Sequence, residues 1–96
     1  MEIHSIVISG TTVDGKKFRP SDWTERLYYS VASYGPHGQV TFSPFLTITI
    51  RDDGRCVVVD TRLREEDPII FSFVTGFARD NALMMFDQNN RVIQGI

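Results

Sequence analysis

The sequence predicts an α+β fold, a small antiparallel sheet carrying two helices, and three observations predict it. Two segments space their apolar residues three and four apart: Trp23, Leu27, Val31 and Tyr34, then Ile70, Val74, Phe77 and Ala78. Other segments are rich in β-branched residues and are bounded by turn residues. Taken along the chain, these signals fall in the order β-α-β-β-α-β, with a short hairpin arm at each end.

Each element has its own local reason. Ile3 to Ser9 is β-branched and unbroken by Gly or Pro, which predicts the first strand. Asp14-Gly15 predicts a tight turn, since Gly takes positive φ without a Cβ clash. Lys16-Lys17-Phe18 then returns as an extended arm. Phe18 to Trp23 opens the first helix. Pro20 suits a first helical turn, where its missing N–H costs nothing, and Ser21 or Asp22 can cap the free amides. Asp22 and Glu25 have capping-box spacing. Gly35-Pro36 ends the helix beyond Tyr34, and Gly35 to Gly38 is a loop.

From Phe45 to Arg51 the chain alternates, with Leu46, Ile48 and Ile50 on one side and Thr47, Thr49 and Arg51 on the other. That predicts a strand with one buried face. Asp52-Asp53-Gly54 turns it, and Arg55 to Asp60 returns with Val57 and Val59 on one face, Cys56 and Val58 on the other. A strand apolar on both faces belongs in the centre of a sheet. Thr61 to Asp67 is a charged, solvated connector. Asp67-Pro68 starts the second helix, whose apolar face holds Ile70, Val74, Phe77 and Ala78, widened by Ile69 and Phe73. Gly76 costs it roughly 1 kcal/mol relative to Ala. Arg79 complements the negative end of the dipole, and Asn81 takes the left-handed cap. Leu83 to Phe86 is the last strand, Asn89-Asn90 a turn, and Arg91 to Ile93 a short edge. This order matches the ferredoxin-like two-layer sandwich, with both helices on one face of the sheet.

Size and composition bound the function. Ninety-six residues suit one domain spanning 1–96, and 42% hydrophobic content suits a globular chain. Ten basic against 12 acidic side chains give a net charge of −2, which supplies no broad field for a polyanion, so nucleic acid is disfavoured. The strand Arg55 to Asp60 also lacks the aromatics on which bases stack in RNA-binding versions of this fold. Cys56 is the single cysteine, so no internal disulfide forms and a reducing, cytoplasmic setting is expected. Met1 to Ser5 does not read as a signal peptide, and no apolar run is long enough to span a bilayer.

Chemistry-bearing residues are few. One cysteine with His4 and His37 gives no zinc spacing, and no Walker, Rossmann or nucleophile-elbow motif is present. We therefore expect no cofactor, no metal and no catalytic constellation. Lys16, Lys17 and Arg19, running into a helix start with Ser21, form a candidate anion site, because helix N-termini present free N–H groups. Lysines that keep a hairpin edge soluble explain the same run without a ligand. Trp23 reads as a core anchor. Tyr28 and Tyr29, on the same helix, make it a candidate interface.

Two resemblances bear on this. Thr12 to Arg19 resembles the phosphate cradle of acylphosphatases, which are ferredoxin-like and of similar length. Val13, Gly15, Phe18 and Arg19 match that motif, and the resemblance implies that Arg19 holds a phosphate. Asp14 replaces a Gln, and Lys16 and Lys17 replace small or apolar residues. The water-positioning Asn of that family falls near Ile50, which cannot orient a water. The second resemblance covers Gly15 to Asn81. Gly15-Lys16-Lys17-Phe18-Arg19-Pro20-Ser21-Asp22-Trp23-Thr24-Glu25-Arg26-Leu27 is similar to the signature of a bacterial family of roughly hundred-residue proteins. Ser43-Pro44-Phe45, Cys56-Val57-Val58-Val59 and Phe77-Ala78-Arg79-Asp80-Asn81 match its further motifs in order. That family is a domain of unknown function; the resemblance implies a small α+β protein of the bacterial cytoplasm and transfers no activity.

The expectation is a non-enzymatic binding or regulatory module that self-associates through its sheet or its tyrosine-bearing helix. The alternative is a phosphate- or carboxylate-binding domain at the start of the first helix, at its furthest a divergent acylphosphatase-like hydrolase.

Overall fold

In the computed structural model, which describes residues 3–19, 22–41, 43–51 and 54–93, the first strand is β1 (Ser5–Thr12). It is followed by α1 (Trp23–Ser30), a two-residue pair β2 (Ser33–Tyr34) and β3 (Val40–Thr41), and the hairpin β4 (Leu46–Arg51) and β5 (Gly54–Asp60). One helical turn, α2 (Leu63–Glu66), precedes α3 (Pro68–Asp80), and β6 (Leu83–Phe86) closes the sheet. The four long strands lie in the order β4-β5-β1-β6 and every pairing is antiparallel. This is the ferredoxin-like arrangement, with the β2–β3 pair added between α1 and β4.

The register sorts the two faces. Ile6 pairs with Val59 and Ile8 with Val57 and Met85, while Leu46 also pairs with Val59. These side chains meet Trp23 and Leu27 of α1 and Val74 and Ala78 of α3 in one buried cluster, so both helices cover the same face. At about 25 cal/mol per Å² of apolar surface, this cluster dominates the stability of the sandwich. On the opposite face Val7, Ser9 and Cys56 are buried. Arg51 lies over the Phe86 ring at 5.6 Å and hydrogen-bonds Asn90. The β5 strand is central and apolar on both faces, as its sequence predicts.

Several local expectations are corrected. The first helix stops at Ser30, whose hydroxyl donates to Leu27 O at 2.7 Å, and does not run on to Tyr34. Tyr34 instead pairs with Val40 in the short ladder closed by Gly35 N donating to Gln39 O at 2.8 Å. Asp22 occupies the N-cap position of α1 but makes no cap hydrogen bond; its carboxylate accepts from Arg26 Nε at 3.1 Å. Pro20 and Ser21, offered for the same helix start, lie outside the described residues, as do Asp52 and Asp53 of the expected turn.

The start of α3 follows its local chemistry: Asp67 accepts from Ile70 N at 3.2 Å and Pro68 holds N1. Its buried stripe is rotated from the expected one, to Phe71, Val74, Thr75 and Ala78. Thr75 is buried at no unsatisfied cost because its hydroxyl donates to Phe71 O at 2.9 Å. Ile69 and Phe73 are left 82% and 50% exposed. At the other end Asn81 Nδ2 donates to Phe77 O at 2.9 Å, and the left-handed residue is Ala82, with φ +55°. The segment expected as a solvated connector folds as α2, with Leu63 buried.

Candidate functional site

The hairpin arm that follows β1 is built as its turn residues require. Gly15 sits at φ +84°, Thr12 N donates to Lys16 O at 2.8 Å, and the Thr12 hydroxyl bonds the Asp14 carboxylate. Thr11 pairs with Lys17, and Phe18 N donates to Gly10 O at 2.8 Å, which brings the arm back over β1. Val13 N donates to Ala82 O at 2.8 Å, tying the turn to the end of α3.

Between this arm, the start of α1 and the start of β5 lies a cleft of ≈ 480 Å³. Lys17, Phe18, Trp23, Glu25 and Arg55 line it, and Gly10 forms part of its floor. A Cβ at residue 10 would stand 3.1 Å from Trp23 Nε1 and 3.4 Å from Arg55 O, so glycine suits this close approach. Arg55 is ion-paired with Glu25, and Arg26 with Asp22 at 3.1 Å. Two carboxylates thus stand at the positive end of α1, where the dipole favours negative charge.

Of the four residues expected to hold an anion, Lys17 lines the cleft. Lys16 lies in the turn, where its N–H donates to Thr12 Oγ1 at 3.1 Å and its side chain is exposed. Arg19 is exposed and does not line the cleft. Ser21 lies outside the described residues. Ile50, near which the resemblance to acylphosphatases puts their water-positioning Asn, is an exposed apolar side chain.

A second, apolar cleft of ≈ 340 Å³ runs between α1 and α3. Trp23 stacks on Phe77 with ring centroids 6.1 Å apart, and Phe18 meets both rings edge-on at 5.9 and 6.0 Å. Leu27 and Phe73 complete its walls. Tyr28 and Tyr29 lie outside this cleft, their rings perpendicular at 6.3 Å. Tyr28 packs against the core while Tyr29 is 56% exposed.

The remaining feature is the sheet edge. The β6 side is extended by the C-terminal arm: Phe86 bridges Val92, and Ile93 N donates to Met85 O at 2.8 Å. Buried Asp87 holds that arm, accepting from Asn89 N at 2.8 Å and Arg91 N at 3.0 Å. Along β4, among the described residues, no further strand pairs. Its stretch Leu46 to Ile50 carries no charge and no proline, and Ile50 is 76% exposed. Sequence reasoning passed over this edge, although the second strand of the ferredoxin-like order always lies at one. Among the described residues no three His, Cys, Asp or Glu side chains gather as a metal site, and no helix is long and apolar enough to cross a membrane.

A family model for proteins of unknown function, DUF3579, matches residues 2–88, and the chain belongs to that family. It is also similar to a solved structure described as the solution structure of the first structural representative of its family. The two share 35% identity and superpose with a TM-score of 0.88, over 97% of this chain and 86% of the other. No curated protein matches.

Proposed function

We propose that this DUF3579 member is a binding or regulatory module that works without catalysis and associates with a second copy of itself. The observation that carries the reading is exposure: Ile50, Ile69 and Phe73 are large apolar side chains held in the open on ordered elements. Apolar groups fixed on a rigid scaffold favour association, because little side-chain freedom is lost when they are covered. One buried cluster joining the sheet and the helices supports treating residues 1–96 as one domain. Cys56, buried and the single cysteine, supports a reducing compartment, which we take to be a bacterial cytoplasm. Sedimentation equilibrium from micromolar to millimolar concentration tests association: the mean mass rises above that of one chain, and a strict monomer throughout would sink the reading.

The second reading places a small anion at Lys17, and the cleft beside Gly10 and Trp23 favours it. Asp22 and Glu25 weigh against it, since an incoming anion would share the helix start with their charges. Titrating phosphate and acyl phosphate while following amide NMR shifts separates the two. Movement confined to residues 16–22 supports the anion site, and its absence removes it. Turnover of the acyl phosphate would be needed to revive an acylphosphatase-like hydrolase.

A further inference from the structure

Resting on the self-association reading, we infer that the edge of β4, which no described strand pairs, joins β4 of a second copy. The two strands run antiparallel about a twofold axis through Ile48, and the tyrosine faces of the two α1 helices meet above them. Asp60 N donates to Phe45 O at 2.8 Å, and Arg51 pairs with Gly54 across a two-residue connection. In an antiparallel ladder hydrogen-bonded pairs alternate along the strand, so residues 45, 47, 49 and 51 turn their backbone groups toward β5. Ile48 and Ile50 therefore direct theirs outward. Leu46 N is already occupied, donating to Ser43 O at 3.3 Å, but its carbonyl is directed outward too.

This pattern is complementary to itself. With Ile48 opposite Ile48, each Ile48 N–H donates to the other Ile48 carbonyl, and each Ile50 N–H donates to the carbonyl of Leu46 in the second copy. The occupied Leu46 N–H is not needed. The side chains agree, because Leu46-Thr47-Ile48-Thr49-Ile50 has the same polar pattern in both directions about its centre. Ile50 then faces Leu46, and Thr47 faces Thr49, both favourable cross-strand pairs. The usual protections of an edge, a lysine, a proline or a bulge, are absent between Leu46 and Ile50.

The helix layer fits the same symmetry. A twofold axis perpendicular to the sheet keeps both helix layers on one side of the continuous eight-stranded sheet. The α1 helix packs over β4 and β5, whereas α3 packs over β6. With strands about 4.8 Å apart, a helix over the β4–β5 gap stands about 10 Å from its mate, the spacing of packed helices. The side of α1 that faces α3 carries Arg26 and Ser30. Tyr28, partly buried against the core, does not line the cleft with α3. On the helical period it falls on the other side of Leu27, the side the twofold would place toward the second copy. The sheet and the tyrosine helix, separate candidates by sequence, are thus one surface.

The test uses the whole chain. Ile50→Lys leaves the β4–β5 hydrogen bonds intact and sets a charge against the mating edge. It is expected to raise the dimer dissociation constant at least tenfold in sedimentation equilibrium, with the circular dichroism unchanged. Thr47→Cys and Thr49→Cys chains, both carrying Cys56→Ala because Cys56 lies opposite Thr49 in the same chain, are mixed and oxidised; they are expected to form the mixed disulfide, while neither variant cross-links alone. This second measurement stands if Ile50→Lys fails to fold. A wild-type chain that is monomeric at every concentration overturns both the pairing and the self-association beneath it. A wild-type dimer that Ile50→Lys leaves unchanged, or that gives no mixed disulfide, overturns the edge pairing alone.

Discussion

Gly10 lies close against the Trp23 ring, and the consequence is measurable. A methyl group at residue 10 would press on Trp23 Nε1 at 3.1 Å, and burial and stacking on Phe77 resist the shift of a few tenths of an ångström that would relieve it. Alanine also stiffens the unfolded chain, which returns roughly 0.4–1 kcal/mol. Overpacking a filled site costs typically about 1–3 kcal/mol, so it outweighs that gain. Gly10→Ala is therefore expected to lower stability by about 1 kcal/mol, seen as a lower urea midpoint at unchanged slope. A midpoint equal to or above wild type would show that the indole has room to move. At Asp60 the prediction concerns pH. The hydrogen bonds from Arg62, with Nη2 at 2.7 Å, hold the Asp60 carboxyl below its ordinary value. A carboxyl with a folded pKa below its unfolded one stabilises fully above the unfolded value, about 3.9, and loses that contribution as pH falls through the folded value. The urea midpoints of wild type and Arg62→Ala are expected to differ near neutrality and to converge in acid. A constant gap at every pH would mean that Arg62 acts only through the Phe45 ring, which it covers at 5.5 Å.

At the scale of elements, the two helix starts look alike in sequence and differ in what their acids do. Asp67 accepts from Ile70 N, whereas Asp22 bonds a neighbouring arginine instead of the helix backbone. Loss of a working cap costs about 0.5–2 kcal/mol, and loss of an exposed ion pair about 0.2–1. Asp67→Ala is thus expected to lower the thermal midpoint measurably more than Asp22→Ala, and equal losses would contradict the assignment. The start of α3 was legible because Asp-Pro is local chemistry. The end of α1 was not, because Tyr34 is placed by its pairing with Val40 across a loop. Nor was the buried side of α3. Periodicity identifies a stripe, but the choice of Phe71 and Thr75 over Ile69 and Phe73 depends on where the helix lands on the sheet. Lys17 was legible as part of a hairpin. The cleft it lines was not, because the Arg55–Glu25 pair that closes it joins residues far apart in sequence.

For the whole molecule, strand order followed from element order, because a β-α-β-β-α-β chain with short connections has few unknotted arrangements. What element order also implies is that β4 lies at an edge, and that property extends beyond one chain. If β4 edges pair in solution, association and folding are linked: the folded chain binds a second copy and the unfolded chain does not. Stability then grows with concentration once it exceeds the dissociation constant. In a domain of this size each 1 kcal/mol moves the thermal midpoint by roughly 4–8 °C. The wild-type midpoint is therefore expected to climb by several degrees when the protein is concentrated a hundredfold through its dissociation range. The Ile50→Lys midpoint should climb less over the same range, since its edge accepts a second strand at least tenfold more weakly. Differential scanning calorimetry at several concentrations reads both curves. A flat wild-type curve through a range where sedimentation shows dimer would mean that the contact forms equally well between unfolded chains. An edge that depends on the β4–β5 register could not behave in that way.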